Sequence, residues 1–193
     1  MDAGTAIGSV FAAFGLSGAA GLNAWLPLFA GALLDRLGVV ELAEPFGSLS
    51  TNVGLALLAA FLVADFVGDK VPVVDHALHL VGTVVHPAAG AVLFTGQTGL
   101  ETDIPTLVAV VVGALTAGSV HAGRASVRPA ATATTAGLGN PVLSLAEDAA
   151  SALLTLAAFA LPALALVLVL ALVAGLAVGI RRLRPARRRA RRG

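Results

Sequence analysis

The sequence predicts an all-α integral membrane protein: a compact bundle of about six transmembrane helices, the first of them broken. Three observations predict it. Of the 193 residues, 58% are hydrophobic and only 12% charged, with a mean hydropathy of +0.93, whereas charged residues make up about a quarter of a soluble domain. Apolar runs near the roughly 20 residues needed to cross a bilayer recur along the chain. The charges are also segregated, with eight of the twelve basic residues between Arg181 and Gly193.

The first apolar segment, about Gly4 to Leu37, is too long for one straight crossing and contains Gly15, Gly18, Gly21, Asn23 and Pro27. It either tilts strongly or breaks near Gly21 to Asn23, where glycine permits a turn and the asparagine can satisfy freed backbone groups. No basic residue precedes it, so a cleaved leader is not expected. The further spans are about Asn52–Phe66, Pro72–Phe94, Ile104–His121, Pro141–Leu161 and Pro162–Ile180. Pro72 suits a first helical turn, with Asp69 upstream as its cap. Asn140 before Pro141 is a helix-start signal, and Pro162 divides a run that would otherwise read as one helix. Residues 1–180 thus form one polytopic domain and residues 181–193 an arginine-rich tail. Glycine, alanine, serine and threonine at three- and four-residue spacings let helices approach closely in lipid.

Loop charges set the expected topology. The tail places the C-terminus in the cytoplasm, and six crossings of the cell membrane place the N-terminus there too. The loops carrying Glu41 and Glu44, and Glu101 and Asp103, then fall outside, while Arg124, Arg128 and Lys70 fall inside; Arg36 alone runs against the pattern. The implied partners are the bilayer and, at the tail, anionic lipid. Nucleic acid is not expected, since the tail has no interleaved aromatics. Assembly with a second copy stays open.

The stretch Asp65 to Pro87 concentrates the chemistry, with three of the eleven carboxylates, three of the four histidines and the only lysine. Asp75, His79, Gly82 and His86 share one helical stripe, and Asp65 and Asp69 share another face within reach of Lys70 or His76. Polar residues at this depth face protein or water, where they hold a cation, relay protons or pair with charges elsewhere. A second group comes from the other half. A helix continuing past the fourth span displays His121, Arg124 and Arg128 together, and Asn140, Ser144, Glu147, Asp148 and Ser151 form a stripe on the fifth. Both groups fall in the cytoplasmic half and are expected to meet in one inward-facing cavity, with Asn23 and Pro27 at its upper end. Pairing of the arginines with Glu147 and Asp148 is the plainer alternative.

The strings GLNAWLPLFAGALLDR, VADFVGDKVPVVDHALHLVGTVVHPAAGAVLF and HAGRASVRPAATATTAGLGNPVLSLAEDAAS, with the closing pair of helices, resemble the bacterial membrane-protein family catalogued as domain of unknown function 4126. The most specific part is Asp69, Lys70, Pro72 and Asp75, followed by the stretch from Asn140-Pro141 to Glu147-Asp148. The family pattern often has arginine in place of Asn23, a position at which this chain departs from it. The resemblance implies membrane location and fold, and no activity.

Three functions compete. The leading one is a small transporter or channel-like protein whose substrate or ion pathway is lined by Asp65, Asp69, Asp75, His79, His86, His121, Arg124, Arg128, Asn140, Glu147 and Asp148, for a cation or for protons. The second is a structural or accessory subunit whose charges only pair between helices. The third is an enzyme acting on a lipid or phosphorylated substrate through a divalent metal on residues such as Asp75 and His79, with Arg124 and Arg128 on phosphate. No catalytic residue is assigned and no cofactor is expected, since the spacings Asp65-x3-Asp69 and Asp75-x3-His79 are permissive and no Gly-x-Ser-x-Gly, His-Glu-x-x-His or Walker sequence occurs. The absence of cysteine excludes thiolate metal ligands and cysteine catalysis.

Overall fold

The computed structural model describes residues 3–68, 72–135 and 139–190, and among these the side chains of all but 72–77, 79, 130, 131 and 183–190. The described residues form helices α1 (Ala3–Leu22), α2 (Trp25–Arg36), α3 (Phe46–Leu49), α4 (Asn52–Gly68), α5 (Pro72–Thr98), α6 (Thr106–Thr135), α7 (Asn140–Ala160) and α8 (Pro162–Ala190). Among the described residues five stretches are long and apolar enough to cross a bilayer: Ala3–Leu22, Leu80–Thr98, Thr106–Thr135, Asn140–Ala160 and Pro162–Arg182. The chain is therefore an all-α bundle of the membrane-embedded class. Proline opens α5 and α8 and stands second in α7, where its missing N–H has no intrahelical partner to lose.

Helix α1 is the axis of the bundle. Small and apolar on nearly every side, it buries eleven residues from Ser9 to Leu22 and packs on α5, α6, α7 and α8. Its glycines set the approach. A methyl group added at Gly15 would lie 2.7 Å from Ala165 and 2.9 Å from Ala158, and one at Gly18 would meet Val169. Serines stitch the contacts: Ser17 Oγ donates to the Gly90 carbonyl at 2.9 Å, and Ser151 Oγ to the Ala19 carbonyl at 3.0 Å. Such pairs replace the missing hydrophobic drive in lipid with close packing and buried hydrogen bonds.

The same contacts fix direction. Gly15 meets Ala165 and Gly18 meets Val169, so α1 and α8 run parallel. Phe14 lies edge-on to Phe94 at 5.1 Å while His86 meets the Ala20 carbonyl, so α5 runs antiparallel to α1. Helix α2 turns back. Gly31 packs on Phe46, which also covers Gly96, and the Ala43 N–H donates to the Gly96 carbonyl at 2.8 Å. The far end of α2 thus returns toward the level of the α5 C-terminus, beside the first half of α1. A Schellman turn closes it: Val39 N–H bonds the Leu34 carbonyl and Gly38 N–H the Asp35 carbonyl, each at 3.0 Å, with Gly38 at φ 69°, a conformation glycine adopts without strain.

This corrects the expected topology. The first segment breaks at Asn23 as expected, but the part beyond the break turns back antiparallel to the first, which adds a reversal, so Ala3 and the end of α8 lie at opposite ends of the bundle. Both termini on one side does not fit this path. The loop charges keep their partition. Glu41, Glu44, Glu101 and Asp103 lie toward the N-terminal end of α1, while Arg124 and Arg128 lie at its C-terminal end.

Candidate functional site

The site is built where α1 stops. Leu22 ends the helix, Asn23 stands outside regular structure, and α2 begins at Trp25. A break inside a bundle frees backbone groups that need partners. Asn23, 2% exposed, supplies several of them. Its Oδ1 accepts from the N–H groups of Trp25 and Leu26, both at 3.0 Å, capping the first turn of α2. Its Nδ2 donates to Asp148 Oδ1 at 2.8 Å and to Asp65 Oδ2 at 3.2 Å. One neutral amide therefore holds carboxylates from α4 and α7 together.

The carbonyl of Leu22, freed at the end of α1, accepts from Arg124 Nη1. The same nitrogen donates to Glu147 Oε2 at 2.9 Å, and Arg128 Nη2 donates to that oxygen at 2.7 Å. These side chains are only 11–12% exposed. Arg124 Nη2 meets His86 Nε2 at 2.8 Å and His121 Nδ1 at 3.4 Å. A guanidinium has donors only, so both ring nitrogens accept, and this fixes the tautomers. His86 carries its proton on Nδ1 and donates to the Ala20 carbonyl. The two rings stack at 4.3 Å. Gly82 makes room, since a methyl group there would lie 3.0 Å from His121 and 3.1 Å from His86.

The two polar stripes thus converge, bringing Asp65, His86, His121, Arg124, Arg128, Glu147 and Asp148 into one cluster around Asn23. Asn140 stands apart. Two turns before Glu147 on α7, its Oδ1 accepts from Thr132 at 3.0 Å. Asp75 and His79 lie on α5, with His79 about two turns before His86, and their side chains lie outside the described residues. Asp69 and Lys70 lie outside them altogether. Among the described residues no three histidine, aspartate or glutamate side chains group as metal ligands.

Spacing alone misses the Leu22 carbonyl, because a helix end exposes its backbone only where the chain breaks. It also misses the joining of His86 to Arg124, a contact between helices. The legible signal was that Asn23 follows three glycines in an apolar run. Along α8, Gly123 faces Leu176 and Gly179 faces Val127, so Arg181 stands roughly 7 Å beyond the level of Gly123 and close to that of Arg128. The cluster lies just inside the end of the bundle from which the tail emerges.

A family model with the description "Domain of unknown function (DUF4126)" matches residues 10–182. No curated protein and no solved structure matches the chain.

Proposed function

Since the chain belongs to the family of domain of unknown function 4126, which brings no activity with it, we propose from the cluster alone that the protein is a small multi-pass transporter of the cell membrane that takes up a proton or a monovalent cation at Asp65 and Asp148. One observation carries the reading. Among the described side chains the cluster sets three carboxylates against two guanidiniums, and two of the carboxylates share one amide nitrogen. Two carboxylates that share one amide nitrogen repel each other at a depth where charge is costly, and a proton or a monovalent cation held between them relieves that repulsion.

The placement gives that uptake a mechanical consequence. Asn23 holds Asp65, Asp148 and the first turn of α2 at once, while Arg124 holds Glu147 and the end of α1. Neutralising Asp148 weakens its bond to Asn23, since a charge-assisted hydrogen bond is roughly twice as strong as a neutral one. That loosens the junction between α1 and α2, and a discontinuous helix at a binding site is the element that transporters rearrange. His86 and His121, already hydrogen-bonded to Arg124, extend the network as neutral acceptors. The positive-inside rule supports a cytoplasmic side for the tail and with it the cluster, and the parallel run of α1 and α8 supports an N-terminus on the opposite side.

The test is flux into proteoliposomes, read with a pH-sensitive dye and with sodium and potassium electrodes. Wild-type protein should carry protons or one of the two cations, and Asp148→Asn and Asp65→Asn should each abolish it while still folding. Flux indifferent to both variants, or none for any of the three ions, would sink the reading. The bonding of both arginines to Glu147 favours a second reading, an accessory protein in which the charges only lock helices. In that case a folded Arg124→Gln/Glu147→Gln double variant should keep its cellular phenotype.

A further inference from the structure

Away from the cluster, α2, α4 and α5 enclose a cleft of about 390 Å³, walled by Trp25, Leu28, Leu57, Phe61, Ala88 and Val92 among others. Its size matches a pocket for a small ligand, and its lining is apolar throughout. Trp25 and Phe61 stack at 4.6 Å at the end nearest Asn23, and the cleft runs from there to Pro45 and Leu49 at the acidic end of the bundle. Leu57 and Phe61, about half exposed, form a lip open to the surrounding lipid.

The rim carries an independent signal. Arg36 is the only basic residue before Lys70 in the sequence and, among the described residues, the only one at that end, which is otherwise acidic. Its Nη1 donates to the Ser50 carbonyl at 3.2 Å, beside Leu49 of the cleft wall. Glu44, exposed, immediately precedes Pro45 of the same wall. Arg36 is thus the one cation described at the mouth of the apolar slot; Asp35 beside it is engaged by Ser50 Oγ and the Leu42 N–H, which leaves Glu44 as the anion on the other side.

We propose that the cleft binds a zwitterionic aminophospholipid from the leaflet at the acidic end. One acyl chain fills the slot down to the Trp25–Phe61 pair, the phosphate rests on Arg36, and the ammonium faces Glu44. A purely anionic headgroup would be repelled by Glu44, and a choline headgroup has no N–H to donate to it. The charge pattern and the slot together specify this class.

Trp25 is the only tryptophan, and there is no tyrosine, so its fluorescence reports the cleft directly. The full chain is reconstituted in phosphatidylglycerol vesicles containing increasing fractions of phosphatidylethanolamine brominated on its acyl chains. We expect quenching to saturate at a mole fraction about fivefold lower than with brominated phosphatidylglycerol. Arg36→Gln should raise the half-quenching fraction about fivefold, one surface charge near a headgroup being worth about 1 kcal/mol. Ala88→Phe, which fills the slot from an exposed wall position, should bring quenching down to that of bulk lipid. If Ala88→Phe loses helical content, Arg36→Gln decides the question. Quenching that follows bulk mole fraction equally for both lipids would overturn the proposal. So would an unquenched Trp25 combined with cross-linking between copies through Leu57→Cys, which would assign the cleft to a second chain.

Discussion

Arg124→Gln tests the cluster most directly, because Arg124 touches α1, α5 and α7 at once. The substitution removes the bonds to the Leu22 carbonyl and to Glu147, and the donor to both histidines. Removing one partner of a buried ion pair costs about 3–5 kcal/mol; Arg128 still reaches Glu147 at 2.7 Å, which argues for the lower end, about 3 kcal/mol. At about 2–4 °C per kcal/mol for a chain of this size, the melting temperature in mild detergent should fall by roughly 6–12 °C. Glu147→Gln should cost less, because its amide oxygen can still accept from both arginines. The Arg124→Gln/Glu147→Gln double variant removes both partners of that ion pair together. It should be more stable than the sum of the single effects predicts, by about 1–3 kcal/mol. Thermal unfolding followed by circular dichroism measures all three. Strictly additive losses would refute the coupling of Arg124 to Glu147 within the cluster.

Other consequences are simpler to read. Asn23→Ala removes the cap of α2 and the bridge between Asp65 and Asp148; a loss of about 2–4 kcal/mol is expected from a cap and two buried hydrogen bonds, measured by thermal unfolding. Gly113→Ala should destabilise by about 1–3 kcal/mol, because its methyl group would lie 2.6 Å from Phe94 Cβ and against the Gly90 carbonyl on α5. Gly175→Ala, with nothing within 4 Å, should be neutral or up to about 1 kcal/mol stabilising, which makes the pair a matched control. Phe46→Ala empties a fully buried site between Gly31 and Gly96. It should cost about 3–5 kcal/mol and raise hydrogen exchange in residues 38–51 above that of α1.

What was legible in the sequence follows from which forces are local. Pro72, Pro162 and the Asn140-Pro141 pair mark their helix starts because proline acts on its own turn. The grouping of acidic and basic loops at opposite ends of the bundle was legible because charge is read directly from the sequence. His121, Arg124 and Arg128 were correctly expected on one face, since α6 runs on unbroken to Thr135. The reversal at Asn23 was only half legible. Glycines and an asparagine showed that the helix could break there, but a helix of 12 residues is shorter than a span, so a hydropathy window merges α2 with α1. The direction of α2 is set by Phe46 against Gly31 and Gly96, contacts across tens of residues that no local pattern carries.

The position of the break is not incidental to the chemistry. Every charged side chain described in the cluster, whether directly or through Asn23, is bonded to one of the two helix ends that meet there: Arg124 at the Leu22 carbonyl, Asp65 and Asp148 through the asparagine that caps α2, and Glu147 and Arg128 through Arg124. A purely structural charge pair between helices has no reason to seek a helix terminus, since side chains on continuous helices can meet anywhere along their length. A break needs polar partners wherever it falls, but an amide and one donor would have met that need. The two arginines and three carboxylates gathered here exceed it, and the excess is what connects a change of charge to a change in the path of the chain.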